Sequence, residues 1–216
     1  MLFLEVISEL EELTLLYYLE KCGWDGKIGP GMSARRIQIY GPLHDSDYGH
    51  TSDEKTPFPE CIKWIISLLL DRLKVLLKDS VCEKLLLPEK WNDEKMEVFV
   101  NEYLPGQGLR PHFDSRGTYD ELIVGLSLCS DSKLTFTNPE FADQVDIDIP
   151  IPRRSVYCMH GATRYKWKHS IKYQNLTDRR VSLTFRTVRD FKKKLQIDAE
   201  QKGIDDFFKD NPLFQD

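Results

Sequence analysis

The stretch "RRVSLTFRTV" (residues 179–188) alternates apolar and polar side chains, as expected of a β-strand with two different faces. One face carries Val181, Leu183 and Phe185, and the other carries Arg180, Ser182, Thr184 and Arg186. Arginines that point into a protein interior need an anionic partner, because an unpaired buried charge is costly. The partner can be a salt bridge or a carboxylate ligand, which arginine binds bidentately. Acidic residues on the matching strands are few, and this favours a ligand.

Residues 96–190 contain short β-rich runs separated by turn residues, which predicts a sandwich, a barrel or a jelly roll. Besides "RRVSLTFRTV" these runs are "MEVFVNEY" (96–103), "LIVGLSL" (122–128), "KLTFTN" (133–138), "DIDIPI" (146–151), "SVYCM" (155–159) and "RYKWKHSI" (164–171). In the first run, Asn101 and Tyr103 share one strand face. They offer an amide and a phenol to the same ligand.

Helices are expected before this β-rich region. Apolar positions recur at helical spacing in residues 5–21 and 57–78. The segment between them is rich in Gly, Pro and Asp around the strand-like "RRIQIY" (35–40) and indicates a mobile flap. Its two histidines, His44 and His50, are expected to be solvated. Residues 191–216 are charged and predict a short C-terminal helix followed by a loose tail.

Composition favours one domain, 1–216, with 1–95 as helices and flap, 96–190 as β-core and 191–216 as tail. The 30 basic and 35 acidic residues give a net charge of −5, which argues against binding nucleic acid through bulk charge. Residues 151–189 nevertheless hold ten Lys/Arg and one acid. The five cysteines form no CxxC pair, and no apolar run is long enough to cross a membrane. We expect a monomer of the nucleus and/or cytoplasm, with reduced thiols and no membrane partner.

The stretch "RPHFDS" (110–115) holds a histidine and an aspartate two residues apart. On an extended chain such residues project to the same face, so His112 and Asp114 can chelate one metal ion. A second histidine would complete the facial triad of non-haem Fe(II) enzymes, and His169 in "YKWKHSI" is the best candidate. His160 in "MHGA" is a rival. The alternatives are a chance HxD pair and a buried His169 that is hydrogen-bonded to a carbonyl.

Three motifs in order, "NEYLPGQGLRPHFDS", "RYKWKHSI" and "RRVSLTFR", resemble those of the AlkB-type Fe(II)/2-oxoglutarate dioxygenases. The resemblance covers roughly residues 35–189. It implies a mainly β (α+β) fold, a double-stranded β-helix or jelly roll with N-terminal helices. It also implies that Fe(II) is bound by His112, Asp114 and His169. The residues implied to hold 2-oxoglutarate, with O₂ as cosubstrate, are Asn101, Tyr103, Arg180 and Arg186.

The resemblance further implies a substrate that is oxidised at a C–H bond, by hydroxylation or demethylation. The flap resembles the family's nucleotide-recognition lid, so Arg35 and Arg36 could contact phosphates and Tyr40 or Tyr48 could stack on a flipped base. Arg116 is a further candidate for substrate binding. It stands where repair members carry an acid, which weakens the case for repair of cationic methylated bases. The sequences of these motifs are similar to those of the branch that hydroxylates wobble uridines of tRNA.

Three functions therefore remain open. The first is oxidation of a modified base in nucleic acid, with RNA or tRNA favoured over DNA. The second is hydroxylation or demethylation of a basic protein such as a histone, which the acidic net charge favours. The third is a binding module without catalysis, against which the intact triad and both arginines argue.

Overall fold

A computed structural model describes residues 1–27, 31–32, 34–42, 56–140 and 146–189. The helices are α1 (Glu9–Lys21), α2 (Glu60–Leu76), α3 (Val81–Leu85) and α4 (Ala162–Tyr165), with 3₁₀ turns at Pro88–Lys90 and Tyr173–Asn175. The strands are β1 (Leu2–Phe3), β2 (Asp25–Lys27), β3 (Gly31–Met32), β4 (Arg35–Tyr40), β5 (Met96–Tyr103), β6 (Gln107–His112), β7 (Tyr119–Leu128), β8 (Ser132–Thr137), β9 (Ile147–Ile151), β10 (Val156–Met159), β11 (Lys168–Ile171) and β12 (Arg180–Val188).

The two long helices occur where helical spacing predicted them. Helix α1 begins at Glu9 because Ser8 and Glu11 form a capping box, in which each side chain binds the other residue's backbone N–H. Helix α2 begins directly after Pro59, which is the N-cap. No helix among the residues described here is long and apolar enough to cross a membrane.

Two sheets face each other and form the predicted jelly roll. The seven-stranded sheet has the order β1-β10-β7-β12-β5-β4-β2, and the five-stranded sheet has the order β3-β6-β11-β8-β9. Strand β12 lies at the centre of the larger sheet, antiparallel to β5 and β7. In the smaller sheet β11 lies between β6 and β8, also antiparallel to both. The motif "RYKWKHSI", which contributes β11, and the motif "RRVSLTFR" on β12 therefore face each other across the roll.

The outer face of the larger sheet packs on the helices. Val181, Leu183 and Phe185 of β12 belong to this apolar core, together with Leu15 and Leu19 of α1 and further residues of α2. A second, smaller cluster fills the space between the sheets and includes Tyr103, Ile123 and Tyr157. The period-two prediction for β12 is confirmed, because its polar residues face the inside of the roll, where Arg180, Ser182, Thr184 and Arg186 line a cavity.

Two details of the sequence prediction are wrong. "RYKWKHSI" is not one strand, because Arg164 and Tyr165 belong to α4 and only "KHSI" forms β11. Asp114 follows the end of β6 and does not lie within a strand beside His112. The prediction of a strand at "RRIQIY" is confirmed by β4. The predictions for His44, Tyr48, His50 and residues 191–216 lie outside the described residues.

Candidate metal centre and cosubstrate cavity

The three predicted metal ligands lie together. His112 at the end of β6 pairs directly with His169 of β11, and their ring centroids are 4.3 Å apart. Asp114 joins them, with its Oδ2 3.6 Å from Nε2 of His169. Each of the three residues offers one ligand atom, and these atoms lie within 4.8 Å of one another. His160, the rival third ligand, is not in this group and lies in the turn before α4.

Both histidines are suited to bind a metal ion through the lone pair of a neutral imidazole. Burial lowers the pKa of His169 to about 3 and also lowers the pKa of His112. Nδ1 of His112 lies 2.9 Å from the carbonyl oxygen of Arg110. A carbonyl only accepts hydrogen bonds, so Nδ1 carries the proton and Nε2 keeps its lone pair. A backbone carbonyl that fixes the tautomer in this way is typical of a metal-binding histidine.

Asp114 is held in its charged form beside an arginine. Burial, the largest single influence, would raise the pKa of its carboxyl, but Arg186 together with His169, His112 and Arg164 holds that pKa below its usual range. Nε of Arg186 donates to Oδ1 of Asp114 at 2.6 Å. The other oxygen, Oδ2, is buried without a hydrogen-bond partner. An orphaned carboxylate oxygen beside a neutral imidazole nitrogen is the arrangement that a divalent cation would satisfy.

A cavity between the sheets adjoins this cluster, and the four predicted cosubstrate residues all line it. They are Asn101, Tyr103, Arg180 and Arg186. Arg180 is only 1% exposed, and its Nε donates to Oγ of Ser127. Among the described residues no carboxylate forms an ion pair with Arg180. Arg186 is paired with Asp114 but keeps one buried nitrogen, Nη1, without a partner. The donors that remain on these two guanidinium groups suit a small dianion.

The residues predicted to contact substrate lie in different surroundings. Arg35 is 7% exposed, lines the cavity and donates to Oδ1 of Asn101, so it does not present its guanidinium on the outer surface. Arg36 is paired with Glu102. Tyr40 is buried in the apolar core and donates to Gln38, so the prediction that its ring stacks on a base is wrong.

Arg116 alone among these residues is exposed beside the cavity. Its guanidinium lies 4.1 Å from the ring centroid of Phe113, a residue that lines the cavity. One of its nitrogens donates to the carbonyl oxygen of Tyr165. Lys168 lies on the same aromatic ring, with Nζ 5.9 Å from its centroid. We call Arg116 and Lys168 the cationic rim. Neither forms an ion pair with any carboxylate in the described part of the chain.

Sequence reasoning missed further cavity residues. Tyr157 lies across the inner face of the larger sheet, directly opposite Gly125. A Cβ at position 125 would come within 2.1 Å of the Tyr157 ring, so only glycine leaves room for that ring. Tyr119 also lines the cavity and donates to Glu97. The glycine inside the apolar run "LIVGLSL" was the one local signal of this close approach.

Comparison with known proteins decides the family. The family model of the 2OG-Fe(II) oxygenase superfamily matches residues 19–186. The chain belongs to this superfamily. It is accordingly a dioxygenase that uses Fe(II), 2-oxoglutarate and O₂, as the resemblance implied. The donor set fits these cofactors, since two neutral imidazoles and a partly unpartnered carboxylate adjoin a cavity with two inward arginines.

The oxygenase is similar to AlkB-type relatives. It is 30% identical to the mouse tRNA (carboxymethyluridine(34)-5-O)-methyltransferase ALKBH8 over 77% of this chain and 23% of that protein. It is 35% identical to an uncharacterized protein of Acanthamoeba polyphaga mimivirus over 56% of this chain and 60% of that protein. A DNA N6-methyl adenine demethylase of Caenorhabditis elegans is 25% identical over 86% of this chain and 58% of that protein. The chain thus spans less than two thirds of each relative.

Solved structures share the fold of the oxygenase. OsALKBH1 superposes with a TM-score of 0.57 at 18% identity, over 86% of this chain and 96% of that one. A prolyl-4-hydroxylase of Pseudomonas putida superposes with a TM-score of 0.55 at 16% identity, over 88% and 92%. These likenesses confirm the jelly-roll fold.

Proposed function

We propose that the chain oxidises a modified base in nucleic acid, with RNA favoured over DNA, and that His112, Asp114 and His169 hold the iron. The observation that carries the proposal is the three-residue cluster beside a cavity with inward-facing arginines. The names of the mouse and nematode relatives, which refer to tRNA and DNA, support nucleic acid as the substrate class. When bound, iron with 2-oxoglutarate and O₂ supplies the oxidant that removes hydrogen from a substrate C–H bond.

The chain's own residues would then do three things. Arg180 and Arg186 hold the two carboxylates of 2-oxoglutarate, because each guanidinium is buried at the cavity and can donate hydrogen bonds to an anion there. Asn101 and Tyr103 add an amide and a phenol from the neighbouring strand. The aromatic wall of Phe99, Tyr119 and Tyr157 keeps water away from the reacting groups.

The cationic rim supports a polyanionic substrate. Arg116 lies over the ring of Phe113 and is anchored to a carbonyl, and no carboxylate of the described residues neutralises it. A phosphodiester beside the cavity would find two cations there, and phosphate contacts make nucleic-acid affinity depend on salt. Because the rim is positively charged, it would repel a cationic methylated base.

Product analysis by mass spectrometry tests the substrate class. The chain is incubated with Fe(II) and 2-oxoglutarate in three parallel reactions, which contain total cellular RNA, DNA and histones. Enzyme-dependent loss of a modified nucleoside, with its oxidised product, is expected in the RNA reaction. Oxidation confined to histones would replace the proposal with protein hydroxylation or demethylation. Succinate release alone does not decide, because turnover can be uncoupled from substrate oxidation.

The cationic rim can be tested by a charge reversal that leaves the fold intact. Arg116 is exposed, so Arg116→Glu is expected to weaken RNA binding and to reduce the slope of log affinity against log salt by about 1. Lys133 is an exposed cation on β8 that does not line the cavity, and Lys133→Glu makes the same change in net charge. Equal losses in both variants, measured by salt titration of RNA binding, would show that only net charge matters.

A further inference from the structure

Arg164 is a buried arginine that grips the backbone of the metal-site loop. It lies in α4 and is 2% exposed. Nη1 donates to the carbonyl oxygen of Asp114 and Nη2 donates to that of Ser115, both at 2.7 Å. One guanidinium thus binds two consecutive peptide carbonyls, the first of which belongs to a candidate iron ligand. The sequence prediction did not identify this contact, because it placed Arg164 in the strand "RYKWKHSI", where its side chain would not point at the loop.

Asp114 needs such support because the β-ladder does not reach it. His112 is the last residue of β6 and is held opposite His169 by strand pairing. Asp114 lies two residues beyond that strand. Its carboxylate is held by Arg186, which comes from the other sheet. The backbone on which the carboxylate is mounted is held by the two hydrogen bonds from Arg164.

Arg164 also connects Asp114 to the third ligand. Helix α4 leads directly into β11, and Arg164 precedes His169 by five residues. Arg164 therefore ties the backbone of Asp114 to the helix that leads into His169, and the donor atoms of these two residues lie 3.6 Å apart. In sequence these donors are far apart, and the described residues show other connections between the loop and α4. One of them is the Arg116 contact to the carbonyl oxygen of Tyr165.

We propose that Arg164 is a positioning residue, which fixes the Asp114 carboxylate relative to His169 and thereby sets the metal affinity of the site. The inference rests on the assignment of the three metal ligands. The geometry of the side chain supports a dedicated role, because Nε is buried without a partner and no described carboxylate forms an ion pair with Arg164. Besides the two carbonyls its guanidinium faces only the ring of Tyr165 among the contacts described, at 5.1 Å from the centroid. A buried cation without a carboxylate partner costs stability, so an arginine kept for stability alone would be a poor choice.

Metal titration without turnover tests the proposal. Mn(II) binding to the full chain is measured by electron paramagnetic resonance for wild type, Arg164→Met and Arg164→Lys. Loss of a residue that orients a metal ligand typically weakens metal binding 10- to 100-fold. We expect about that loss in Arg164→Met. A smaller loss is expected in Arg164→Lys, because an ammonium keeps the charge but cannot span both carbonyls with a planar fork.

Arg189→Met is the matched control. Arg189 donates to the carbonyl oxygen of Tyr119 and to the hydroxyl of Tyr165, so it ties the start of β7, just after the metal-site loop, to the same helix without contacting Asp114. Thermal unfolding of the metal-free proteins reports the structural cost of each substitution. We expect Arg189→Met to lower the melting temperature but to leave Mn(II) affinity unchanged.

The outcomes distinguish a failure of the positioning role from a failure of the metal-ligand assignment. Unchanged Mn(II) affinity in a folded Arg164→Met protein would overturn the positioning role, as would an equal loss in Arg189→Met. If Arg164→Met does not fold, Arg164→Lys decides by the same criterion. If wild type binds Mn(II) no better than His112→Ala does, the ligand assignment has failed instead, and the positioning role fails with it.

Discussion

The two faces of strand β12 are both buried but differ in chemistry. Its outer face is apolar, fully buried and packed on helices, as Leu183 shows with 0% exposure. Its inner face is equally buried but carries Arg180 and Arg186, at 1% and 9% exposure. Burial of apolar surface stabilises the fold, whereas burial of charge costs free energy that an ionic partner must offset, such as Asp114 beside Arg186 or a bound anion. The difference teaches that one strand serves stability on one side and chemistry on the other.

This division predicts that substitutions on the two sides have separable effects. Changes at the inner cavity should remove turnover and leave the fold, while changes at the outer face should lower stability and leave the site. The three predictions below test that separation in order of expected effect.

The largest effect is expected from His112→Ala, which removes one of the three candidate metal ligands. We expect 2-oxoglutarate turnover to fall to background, because the two remaining ligands no longer form a facial triad. Stability should change by less than about 1 kcal/mol, since His112 is only partly buried. Succinate release and thermal unfolding, measured on the same preparation, check the two halves of the prediction.

His160→Ala is the matched control for this substitution. It removes the rival histidine, which lies outside the ligand group, and is expected to retain turnover. Turnover lost in His160→Ala but kept in His112→Ala would reverse the assignment.

Sequence patterns predicted the two faces of β12 well because alternation is a local property of a strand. The positions of His112, Asp114 and His169 were likewise predicted, although their roles as ligands remain a proposal. Their convergence depends on the antiparallel pairing of β6 with β11, which neither motif encodes alone. It was the order of three motifs, and their resemblance to a family, that supplied this long-range information.

The failures have a common physical cause. Arg164 and Tyr165 looked like strand residues, but Gly161, with a φ of 53°, turns the chain into α4. Tyr40 looked available for stacking, but helices packed on the sheet bury it. Arg35 looked like a surface cation, but it reaches Asn101 on the neighbouring strand. In each case the outcome depends on something that the alternating pattern does not contain, either the left-handed conformation of a glycine or a tertiary contact.

The next effect concerns the outer face and is produced by Leu183→Ala. Leu183 is fully buried and stands opposite Val100 and Leu126, both in the same apolar core. Truncation of such a residue leaves a cavity and typically costs about 2–5 kcal/mol. Urea unfolding should show that loss. At a temperature where the variant is folded, its turnover per folded molecule should match wild type. Lost turnover in the folded variant would show that the outer face also shapes the cavity.

The smallest effect lies in the helix layer, where Glu11 caps α1 and also binds Arg72 of α2. The hydrogen bond from Arg72 lowers the pKa of Glu11 to about 2, below the usual 4.5. A depressed folded-state pKa means that the stabilisation is present above pH 4.5 and is lost as the pH falls towards 2. Glu11→Gln keeps a capping amide but removes the charge. We expect it to cost about 1 kcal/mol at pH 7.

The pH dependence distinguishes this ion pair from the cap itself. The difference in unfolding free energy between wild type and Glu11→Gln should stay constant from pH 8 to about pH 5 and shrink below it, as linkage requires. Urea unfolding across that range measures the difference. Because Glu11 lies on the helix side of the sheet, turnover at pH 7 should be equal in both proteins. A difference that persists undiminished near pH 2 would attribute the effect to helix capping, and changed turnover would show that the helix layer and the cavity are coupled.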